Sequence, residues 1–258
     1  GLKFHYNKHD RLILEFLDHS KIKQLVYRPY WLTITPLLQS ITIYFSEMYF
    51  KFWHKFDFDR EVVMTSDGGT LAIDWARDLS TGAGRPKASA DKSKPIILMA
   101  PGLGGSTRNF YTLNLLYQAR KQGFKVGTMV FRGSESLPLT SGKICYSGSW
   151  EDCKTLIEHV HNTYLAKERQ AGKKARLYAY GCSLGAQILG LYLIKEKSAA
   201  CKYLDGAILY GTPWSTFKGE KFFYENAFGF YQKVIGLTLS ATVRKELLPQ
   251  LRKYVSEE

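Results

Sequence analysis

The sequence predicts an α/β fold: a mostly parallel sheet with helices on both faces and an antiparallel hairpin on its N-terminal side. Between residues 95 and 210, short apolar segments alternate with segments of helical periodicity, as parallel strands alternate with their crossover helices. Ahead of them, two segments of alternating polarity flank residues 66–69, whose Asp-Gly pair is a strong hairpin signal. The chain has 258 residues, of which 45% are hydrophobic, enough for a sizeable buried core.

The elements follow one another in the order that such a sheet requires. Residues 1–60 are helix-leaning and aromatic, and they predict an extension ahead of a main domain at 61–215. Residues 61–65 and 70–77 are the hairpin strands, and 80–94, rich in Gly, Ser, Ala and Lys, predict a surface loop. Apolar periodicity then predicts strands at 95–99, 125–131, 175–180 and 204–210, and helices at 111–122, after 149, at 186–195 and within 216–258.

One of these helices has a recognisable start. Ser149 is a residue type favoured at N-caps, Asp152 follows three positions later, and Trp150, Cys153 and Ile157 repeat at helical spacing. We therefore expect Ser149 to cap an amphipathic helix that packs on the sheet.

Composition narrows the classes of partner and cofactor. The formal net charge of +13 favours acidic partners, either anionic lipid headgroups or nucleic acid, but no nucleic-acid-binding motif occurs, so nucleic acid is not expected. The four cysteines have neither Cys-x-x-Cys nor Cys/His metal spacing, which predicts reduced thiols in an intracellular protein without a metal site. No phosphate-binding P-loop occurs, and no cofactor is expected.

The N-terminal extension leaves two interpretations open. Its uncharged stretch 29–46 is interrupted by Pro36 and Gln39, which makes it a poor candidate for a membrane span. The aromatic residues that follow are mixed with Lys51 and Lys55, a mixture that suits a bilayer interface. Packing within a helical segment accounts for the same residues.

The chemistry begins with Ser183, at the centre of Gly181-Cys182-Ser183-Leu184-Gly185. This G-x-S-x-G pattern lies between a predicted strand and a predicted helix, where a nucleophilic serine occupies a tight elbow. The flanking glycines are needed because side chains there would collide with the adjacent strand and helix. A serine in an ordinary turn is the alternative, but the order of strand, glycines and helix favours the nucleophile.

A second glycine-rich segment, Pro101-Gly102-Leu103-Gly104-Gly105-Ser106, follows the first parallel strand and precedes a helix. A serine hydrolase needs two backbone N–H groups at the developing oxyanion, one after the serine and one in this loop. We expect Leu184 and Leu103 to provide them, and Gly102 and Gly104 to let the loop approach the substrate. The alternative is a helix N-terminus whose glycines allow tight packing.

Two other interpretations are weaker. Gly102 to Gly105 after a strand also resembles the start of a dinucleotide-binding fingerprint, with Arg132 facing a 2′-phosphate, but Thr107 replaces the third glycine. His159 and His161 suggest a metal pair, but residues two apart on a helix point in different directions. Neither interpretation explains the serine motif.

Several motifs occur together in one order: Tyr27-Arg28-Pro29-Tyr30-Trp31, Arg60-Glu61-Val62, Asp67-Gly68-Gly69, Asp74-Trp75, Pro101 to Ser106, Pro138-Leu139-Thr140, Trp150-Glu151-Asp152 and Gly181 to Gly185. In order and spacing they resemble the YheT-like α/β-hydrolase subfamily, which includes eukaryotic α/β-hydrolase-domain lipases and yeast medium-chain acyltransferases. The resemblance covers about residues 20–250. It implies an α/β-hydrolase fold and esterase, phospholipase or acyltransferase chemistry on medium or long acyl chains, often with peripheral membrane contact.

The resemblance also implies roles for particular residues. Ser183 matches the family nucleophile, and Leu103 and Leu184 match its oxyanion positions. Pro101 stands where the family usually has histidine, and Phe131-Arg132-Gly133 is a shortened form of the usual N-x-R-G.

The C-terminal residues 216–258 correspond to a lid-like, helical cap in the family. Its apolar side chains, Phe222 and Phe223 among them, would line an acyl pocket, and packing between helices is the alternative. The implied substrate is an acyl lipid or ester: a phospholipid, an acylglycerol or a medium-chain ester.

The rest of the family's triad has no counterpart in these residues. All six histidines precede Ser183, whereas the family's chain order is Ser, then Asp or Glu, then His. The only later aspartate, Asp205, begins a predicted strand, which is the wrong end of the sheet for a triad acid. The hydrolase fold is therefore expected to be truncated on its C-terminal side, with residues 204–210, from Leu204 to Tyr210, as an unpaired apolar edge strand.

Two hypotheses follow. Either the chain is the N-terminal part of a serine hydrolase whose Asp and His lie in a further segment, or it is a hydrolase-derived structural or interaction subunit without catalysis. The first predicts that Ser183 reacts with a fluorophosphonate. The second predicts an inert Ser183 and a protein partner over the edge strand at 204–210.

Overall fold

The computed structural model describes residues 8–24, 57–77, 94–225 and 229–254, together with isolated positions between 26 and 49. The chain forms two compact units, Gly1–Phe52 and Trp53–Glu258. In the first unit, helix α1 (Arg11–His19) begins after Asp10, whose carboxylate accepts the Ile13 N–H at 3.2 Å, and a 3-10 turn follows at Lys21–Gln24. The predicted interface segment at 29–56 and the predicted loop at 80–94 lie almost entirely outside the described residues.

The second unit is built on a six-stranded sheet with the strand order β1-β2-β4-β3-β5-β6. The strands are β1 (Phe58–Met64), β2 (Thr70–Ala76), β3 (Ile96–Ala100), β4 (Lys125–Val130), β5 (Leu177–Cys182) and β6 (Gly206–Tyr210). β2 pairs antiparallel with both β1 and β4, whereas the β4-β3, β3-β5 and β5-β6 pairs are parallel. The predicted fold class, a mostly parallel sheet opened by an antiparallel hairpin, is confirmed.

Helices cover both faces of the sheet. They are α2 (Phe110–Lys121), α3 (Trp150–Val160), α4 (Ala166–Gln170) and α5 (Leu184–Glu196), and a π-helical turn at His161–Leu165 joins α3 to α4. Leu98 of β3 packs in one buried cluster with Leu156 of α3 and Ile188 of α5, while the next residue, Met99, packs with Leu116 of α2 in another. Because successive side chains of a strand point to opposite faces, these clusters lie on opposite sides of the sheet.

The hairpin turn forms as its Asp-Gly pair predicts. Gly68 has a φ of 77°, which glycine adopts without steric cost, and the Asp67 carboxylate accepts the Gly69 N–H at 3.2 Å. Asp67 also binds the guanidinium of Arg132, with Oδ2 3.0 Å from a terminal nitrogen. The hairpin turn is therefore fixed to the loop that follows β4.

The predicted start of α3 after Ser149 is confirmed, but the cap hydrogen bond that the pattern implies is not formed. Ser149 stands at the N-cap position, but its hydroxyl accepts the Tyr146 N–H at 3.0 Å and makes no bond to the first helical turn. Asp152 forms a bidentate ion pair with Arg132 instead, with 2.8 Å in both nitrogen–oxygen pairs. A tertiary ion pair thus takes the carboxylate that the local pattern assigned to the helix start.

A polar cluster joins the hairpin to the end of α3. Glu61 of β1 accepts hydrogen bonds from the Trp75 indole and the Tyr164 hydroxyl, both at 2.6 Å, and its other oxygen lies 2.7 Å from His159 Nε2. Burial raises the pKa of Glu61, but these three hydrogen bonds outweigh it and lower the pKa to about 2. The Lys125 ammonium lies 4.0 and 3.8 Å from the ring centres of Trp75 and Tyr164, and burial lowers its pKa to about 8.

A helical segment follows β6 and returns across the sheet. It comprises α6 (Thr216–Glu225), α7 (Phe230–Thr242), a π-helical turn (Val243–Leu247) and α8 (Leu248–Leu251). The Gln250 side chain accepts the Leu139 N–H at 2.9 Å, and the Tyr254 hydroxyl donates to the Leu139 carbonyl at 3.2 Å. Leu139 lies in the loop after β4, so the segment extends from the carboxyl end of β6, past β5 and β3, to that loop.

The strand β6 is an edge of the described sheet, as the sequence predicts. Ile208 is 62% exposed and Tyr210 is 64% exposed, so its outer apolar side chains are not covered by the described part of the cap. Within the described ranges, no helix has the length and apolar character that a bilayer crossing requires.

Candidate active site

Ser183 joins β5 to α5 in a strained backbone conformation. Its φ is 52° and its ψ is −116°, a region that non-glycine residues rarely occupy. The Ser183 N–H donates to the Tyr210 carbonyl of β6 at 2.9 Å, and the Ser183 carbonyl accepts the Gln187 N–H of α5 at 3.1 Å. The chain on both sides of Ser183 is therefore fixed, and the exposed side chain stands at the carboxyl edge of the sheet.

The glycines on either side of the elbow are required by close backbone approach. A Cβ on Gly181 would lie 2.6 Å from the Ala186 Cα, and one on Gly185 would lie 2.1 Å from the Ala100 carbonyl oxygen. Both distances are far below any normal carbon contact, and the neighbouring atoms belong to the backbone. The sequence-based reason for these two glycines, collision with the adjacent helix and strand, agrees with this geometry.

The segment Pro101 to Ser106 forms a tight turn beside the serine. The Gly102 carbonyl accepts the Gly105 N–H at 2.8 Å, and Gly104 has a φ of 61°, which suits a glycine in the third position of such a turn. A Cβ on Gly102 would lie 3.2 Å from the Ser183 Cβ, so the loop passes close to the serine and leaves little room for a side chain at position 102. We call Pro101 to Ser106 the oxyanion loop.

Two backbone donors are available where the loop approaches the serine. Leu103 occupies the second position of the turn, and Leu184 is the first residue of α5, where helical N–H groups have no partner within the helix. No acceptor among the described residues binds the N–H of Leu103 or of Leu184. The helix dipole of α5 adds partial positive charge at its N-terminus, which favours an anion there.

Tyr111 was not predicted to belong to the site, yet it contacts the oxyanion loop. The Gly102 N–H donates to the Tyr111 hydroxyl at 3.1 Å, and a Cβ on Gly105 would lie 2.5 Å from that oxygen. Tyr111 is the second residue of α2, where its spacing is that of any helical core residue. Its only sequence signal is its place shortly after a glycine-rich loop.

The two phenylalanines predicted to bind substrate lie in α6. Phe222 is 56% exposed, and of Phe223 the structure describes only the backbone. An open groove of about 640 Å³ lies nearby, between α6 and α7, and Tyr224, Gly229 and Lys233 are among its lining residues. The lining includes neither Ser183 nor Phe222, so this groove is separate from the elbow.

The two described histidines of the sheet unit, His159 and His161, are engaged away from Ser183. His159 binds Glu61 of β1, the strand at the opposite edge of the sheet from the β5-β6 pair. His161 lies 3.0 Å from the Asn162 side-chain oxygen and packs edge-on against Tyr203. The two do not converge on one point, and the described residues contain no cluster that could hold a metal ion.

Asp205 and Arg132 have structural partners. Asp205 accepts the N–H of Leu177, the first residue of β5, at 2.8 Å, which places the carboxylate at the amino end of the strand, away from Ser183. Arg132 is 6% exposed and donates to Asp152, Asp67 and Ser141, so it is not available to a 2′-phosphate. The dinucleotide interpretation is therefore wrong on this point.

Cys182 is the nearest thiol to the nucleophile, being its neighbour in the chain. Burial raises the pKa of this thiol, which keeps it protonated and weakly nucleophilic at neutral pH. Burial also raises the pKa of Tyr180 to about 12, and its ring stacks on Tyr210 with 6.4 Å between the ring centres. Ser183 is accordingly the side chain at the elbow that is placed for nucleophilic chemistry.

Related proteins were found by sequence. No family model matches the chain. Phospholipase ABHD3 of Homo sapiens is 30% identical over 159 residues, which cover 61% of this chain and 35% of that protein. Monoacylglycerol lipase of Saccharomyces cerevisiae is 25% identical over a match that covers 63% of this chain and 34% of that protein. YheT of Escherichia coli is 29% identical over a match that covers 60% of this chain and 42% of that protein. The chain thus spans between a third and a half of the length of these relatives.

Two solved structures of esterases are among those that align with the chain. Esterase Pf2001 of Pyrococcus furiosus has a TM-score of 0.47 and 19% identity, over 69% of this chain and 62% of that one. An esterase of Rhizomucor miehei has a TM-score of 0.48 and 14% identity, over 78% of this chain and 60% of that one. The chain is therefore similar in sequence to α/β-hydrolases that include YheT, and it has the mostly parallel sheet and the glycine-flanked serine elbow expected of that fold.

Proposed function

We propose that the protein is a serine hydrolase of the lipase or esterase type, which cleaves acyl esters through an acyl-enzyme at Ser183. The observation that carries the proposal is the strained backbone of Ser183, with φ 52° and ψ −116°, beside a closely approaching glycine turn. Strain of this kind costs about 1–3 kcal/mol and persists where function requires it. The related phospholipase and lipase sequences support the same chemistry.

The geometry supports a particular sequence of events. The Ser183 hydroxyl attacks the ester carbonyl, and the negative charge that develops on the carbonyl oxygen is stabilised by the N–H groups of Leu103 and Leu184. Collapse of the tetrahedral intermediate expels the alcohol and leaves the acyl group on Ser183. Water then attacks the acyl-enzyme and releases the carboxylic acid.

Serine is a weak nucleophile until an imidazole removes its proton. His159 and His161 are engaged elsewhere, so we propose that the native protein brings a histidine and a carboxylate to Ser183 from outside residues 57–254. With this histidine and carboxylate, acylation and deacylation of Ser183 proceed in the order given, and the imidazole carries the protons. These protons go from the serine to the imidazole during attack, and from the imidazole to the leaving alcohol during collapse.

The acyl chain would lie against the apolar part of the cap. Phe222 is exposed on α6, and Trp214 and Phe217, just before and in the first turn of that helix, are 73% and 84% exposed.

Lys218 and Lys221 are exposed on the same helix, and the chain carries a net charge of +13. The exposed Glu220 and Glu225 balance these lysines on the helix itself, so the aromatic side chains carry the inference: exposed aromatics suit a bilayer interface, and we propose peripheral membrane contact through α6.

The test is made on the native protein isolated from its source. A fluorophosphonate probe should label Ser183, and Ser183→Ala should abolish both labelling and hydrolysis of p-nitrophenyl esters. Ser198→Ala, an exposed serine after α5, is the matched control and should leave both unchanged. Ester hydrolysis that persists in Ser183→Ala would refute the assignment.

A second candidate, an interaction subunit without catalysis, is favoured by the exposed β6 edge. Its apolar side chains and unpaired backbone form a surface on which another strand can add. This candidate predicts that native Ser183 does not react with the probe and that cross-linking at Tyr210 captures a protein partner. Labelling of Ser183 at an enzyme-like rate would exclude it.

A further inference from the structure

Thr107, the residue directly after the oxyanion loop, is bound by two carboxylates. Its N–H donates to Glu135 Oε1 at 3.0 Å, and its hydroxyl donates to Asp74 Oδ2 at 2.9 Å. Thr107 is 1% exposed and Asp74 is 3% exposed, so both bonds to Thr107 lie in or at the edge of the protein interior. Two bonds to one residue, one through the backbone and one through the side chain, fix both its position and its orientation.

Both acidic residues are in turn bound by one guanidinium. Arg60 donates to both oxygens of Asp74, at 2.7 and 2.8 Å, and to the backbone carbonyl of Glu135 at 2.8 Å. A bidentate pair of this kind is planar and permits little rotation. Arg60 lies on β1, Asp74 on β2 and Glu135 in the loop after β4, so three separate segments meet at Thr107. We call Arg60, Asp74, Thr107 and Glu135 the Thr107 anchor.

The backbone of the anchor is strained in the loop after β4. Glu135 has a φ of 52° and Ser136 has a φ of 60°, two successive non-glycine residues in the left-handed region. Each costs roughly 1 kcal/mol relative to an ordinary conformation. This geometry directs the Glu135 carbonyl to Arg60 and its carboxylate to Thr107, the two bonds that complete the anchor.

The oxyanion loop needs such an anchor because its own sequence is flexible. Gly102, Gly104 and Gly105 give the loop more backbone freedom than any other residues would, and a free loop would lose that freedom each time the oxyanion forms. Its first end continues β3 and is fixed by the sheet. Its second end is held where the Ser106 N–H donates to the Asn109 side-chain oxygen and where Thr107 is bound by Glu135 and Asp74, before α2 begins.

We propose that Arg60, Asp74 and Glu135 are positioning residues for the oxyanion hole, acting through Thr107. The inference rests on the proposed function, because it assigns a role in the same site. Oxyanion donors act at 2.7–3.1 Å from the developing charge, and a displacement of about 1 Å costs roughly a hundredfold in rate. Thr107 touches no substrate, and its effect is to keep the Leu103 N–H in place.

The experiment compares variants of the native protein. Glu135→Ala removes the acceptor of the Thr107 N–H, whereas Glu135→Gln keeps a side-chain oxygen there. Asp205→Ala is the matched control, because that carboxylate also accepts a backbone N–H, from Leu177, but at the amino end of β5. Three readouts are taken: the rate of fluorophosphonate labelling of Ser183, kcat and KM for a p-nitrophenyl ester, and amide hydrogen exchange.

Glu135→Ala should slow labelling and lower kcat by roughly ten- to hundredfold, with KM unchanged, because the lost contact acts only in the transition state. Exchange at residues 103–107 should accelerate in the same variant. Glu135→Gln should restore labelling close to the unaltered rate. Asp205→Ala should accelerate exchange at Leu177 and leave labelling unchanged.

The possible outcomes distinguish a failure of the proposed function from a failure of the positioning role. If the unaltered protein is not labelled, the proposed function fails. If the unaltered protein is labelled and Glu135→Ala is labelled equally fast, or if Asp205→Ala slows labelling as much, only the positioning role fails. Should Glu135→Ala not fold, Thr107→Val and Thr107→Ser give the same comparison, since serine keeps the hydroxyl that binds Asp74 and valine does not.

Discussion

The same substitution, glycine to alanine, should have opposite effects at two helical positions of this protein. Gly185 lies in the first turn of α5, and Gly236 lies in the middle of α7. A Cβ on Gly185 would lie 2.1 Å from the Ala100 carbonyl oxygen and 2.5 Å from the Pro101 carbonyl oxygen. A Cβ on Gly236 would have no atom of the described residues within 4 Å beyond its chain neighbours and the backbone of its own helix.

The magnitudes follow from these distances. A carbon normally approaches a carbonyl oxygen to about 3.3 Å, so Gly185→Ala must separate α5 from the end of β3 by about 1 Å. Both neighbours are backbone atoms, which no change of side-chain conformation can relieve, and overpacking of this kind costs about 1–3 kcal/mol. Gly236→Ala carries no such cost and should stabilise α7 by about 0.5–1 kcal/mol, because alanine is the better helix former.

Urea denaturation measures both changes against the unaltered protein, with peptide-level hydrogen exchange to assign the change to α5 or α7. The displaced residues Ala100 and Pro101 lead into the oxyanion loop, so Gly185→Ala should also slow labelling of Ser183, whereas Gly236→Ala should not. A neutral or stabilising Gly185→Ala would refute the close approach of α5 to β3.

Three further predictions concern the ionisable groups. Arg132→Met should destabilise the sheet unit by about 3–5 kcal/mol in urea denaturation, since it leaves the buried Asp152 carboxylate without its partner; a loss below about 1 kcal/mol would contradict the role of this pair. The pKa of Glu61 is lowered in the folded protein from 4.5 to about 2, so its stabilising contribution is complete above pH 4.5 and is lost as pH falls towards 2. Glu61→Gln should therefore reduce the dependence of the free energy of unfolding on pH between 4.5 and 2. An unchanged pH dependence would contradict this role of Glu61. A thiol reagent at neutral pH should modify the exposed Cys201, as peptide mass analysis would show. It should react with Cys153 only when the protein unfolds, because burial makes this thiol inaccessible and raises its pKa. Early modification of Cys153 would show that α3 opens in the folded protein.

Much of the sheet could be predicted because its signals are local. Apolar runs and helical periodicity located every strand and each main helix of the sheet unit, and the Asp-Gly pair located the hairpin. The boundaries moved where pairing extended an element. The strand predicted to end at Tyr180 continues to Cys182, because Cys182 still pairs with Tyr210 of β6.

Contacts between distant residues had no local signal. Asp152 was interpreted from its distance to Ser149, three positions away, whereas its true partner, Arg132, is 20 residues away. The Thr107 anchor joins residues 28 and 33 positions apart, and threonine at that position counted only as a missing glycine. A single sequence shows which residues can form ion pairs but not which of them meet.

The candidate site likewise contains features with a local sequence signal and features without one. The strand-to-helix turn at Ser183 and the glycine turn beside it were predictable in position, because a nucleophile elbow would impose glycines at fixed spacing on such a turn. Tyr111 was not, since a tyrosine in the first turn of a helix has the periodicity of a core residue. Whether its hydroxyl faces the loop depends on how α2 is rotated against the sheet, and local sequence does not determine that angle.

The two bonds between Leu139 and the C-terminal segment also bear on the order of folding. They join Leu139 to Gln250 and Tyr254 across 111 and 115 residues, whereas the hairpin turn joins neighbours. Closing so long a loop costs entropy before any contact repays it, so these bonds should form after the sheet has assembled. They should also open first under native conditions, which makes the end of the cap the least protected of these elements in hydrogen exchange and the first site of proteolytic cleavage.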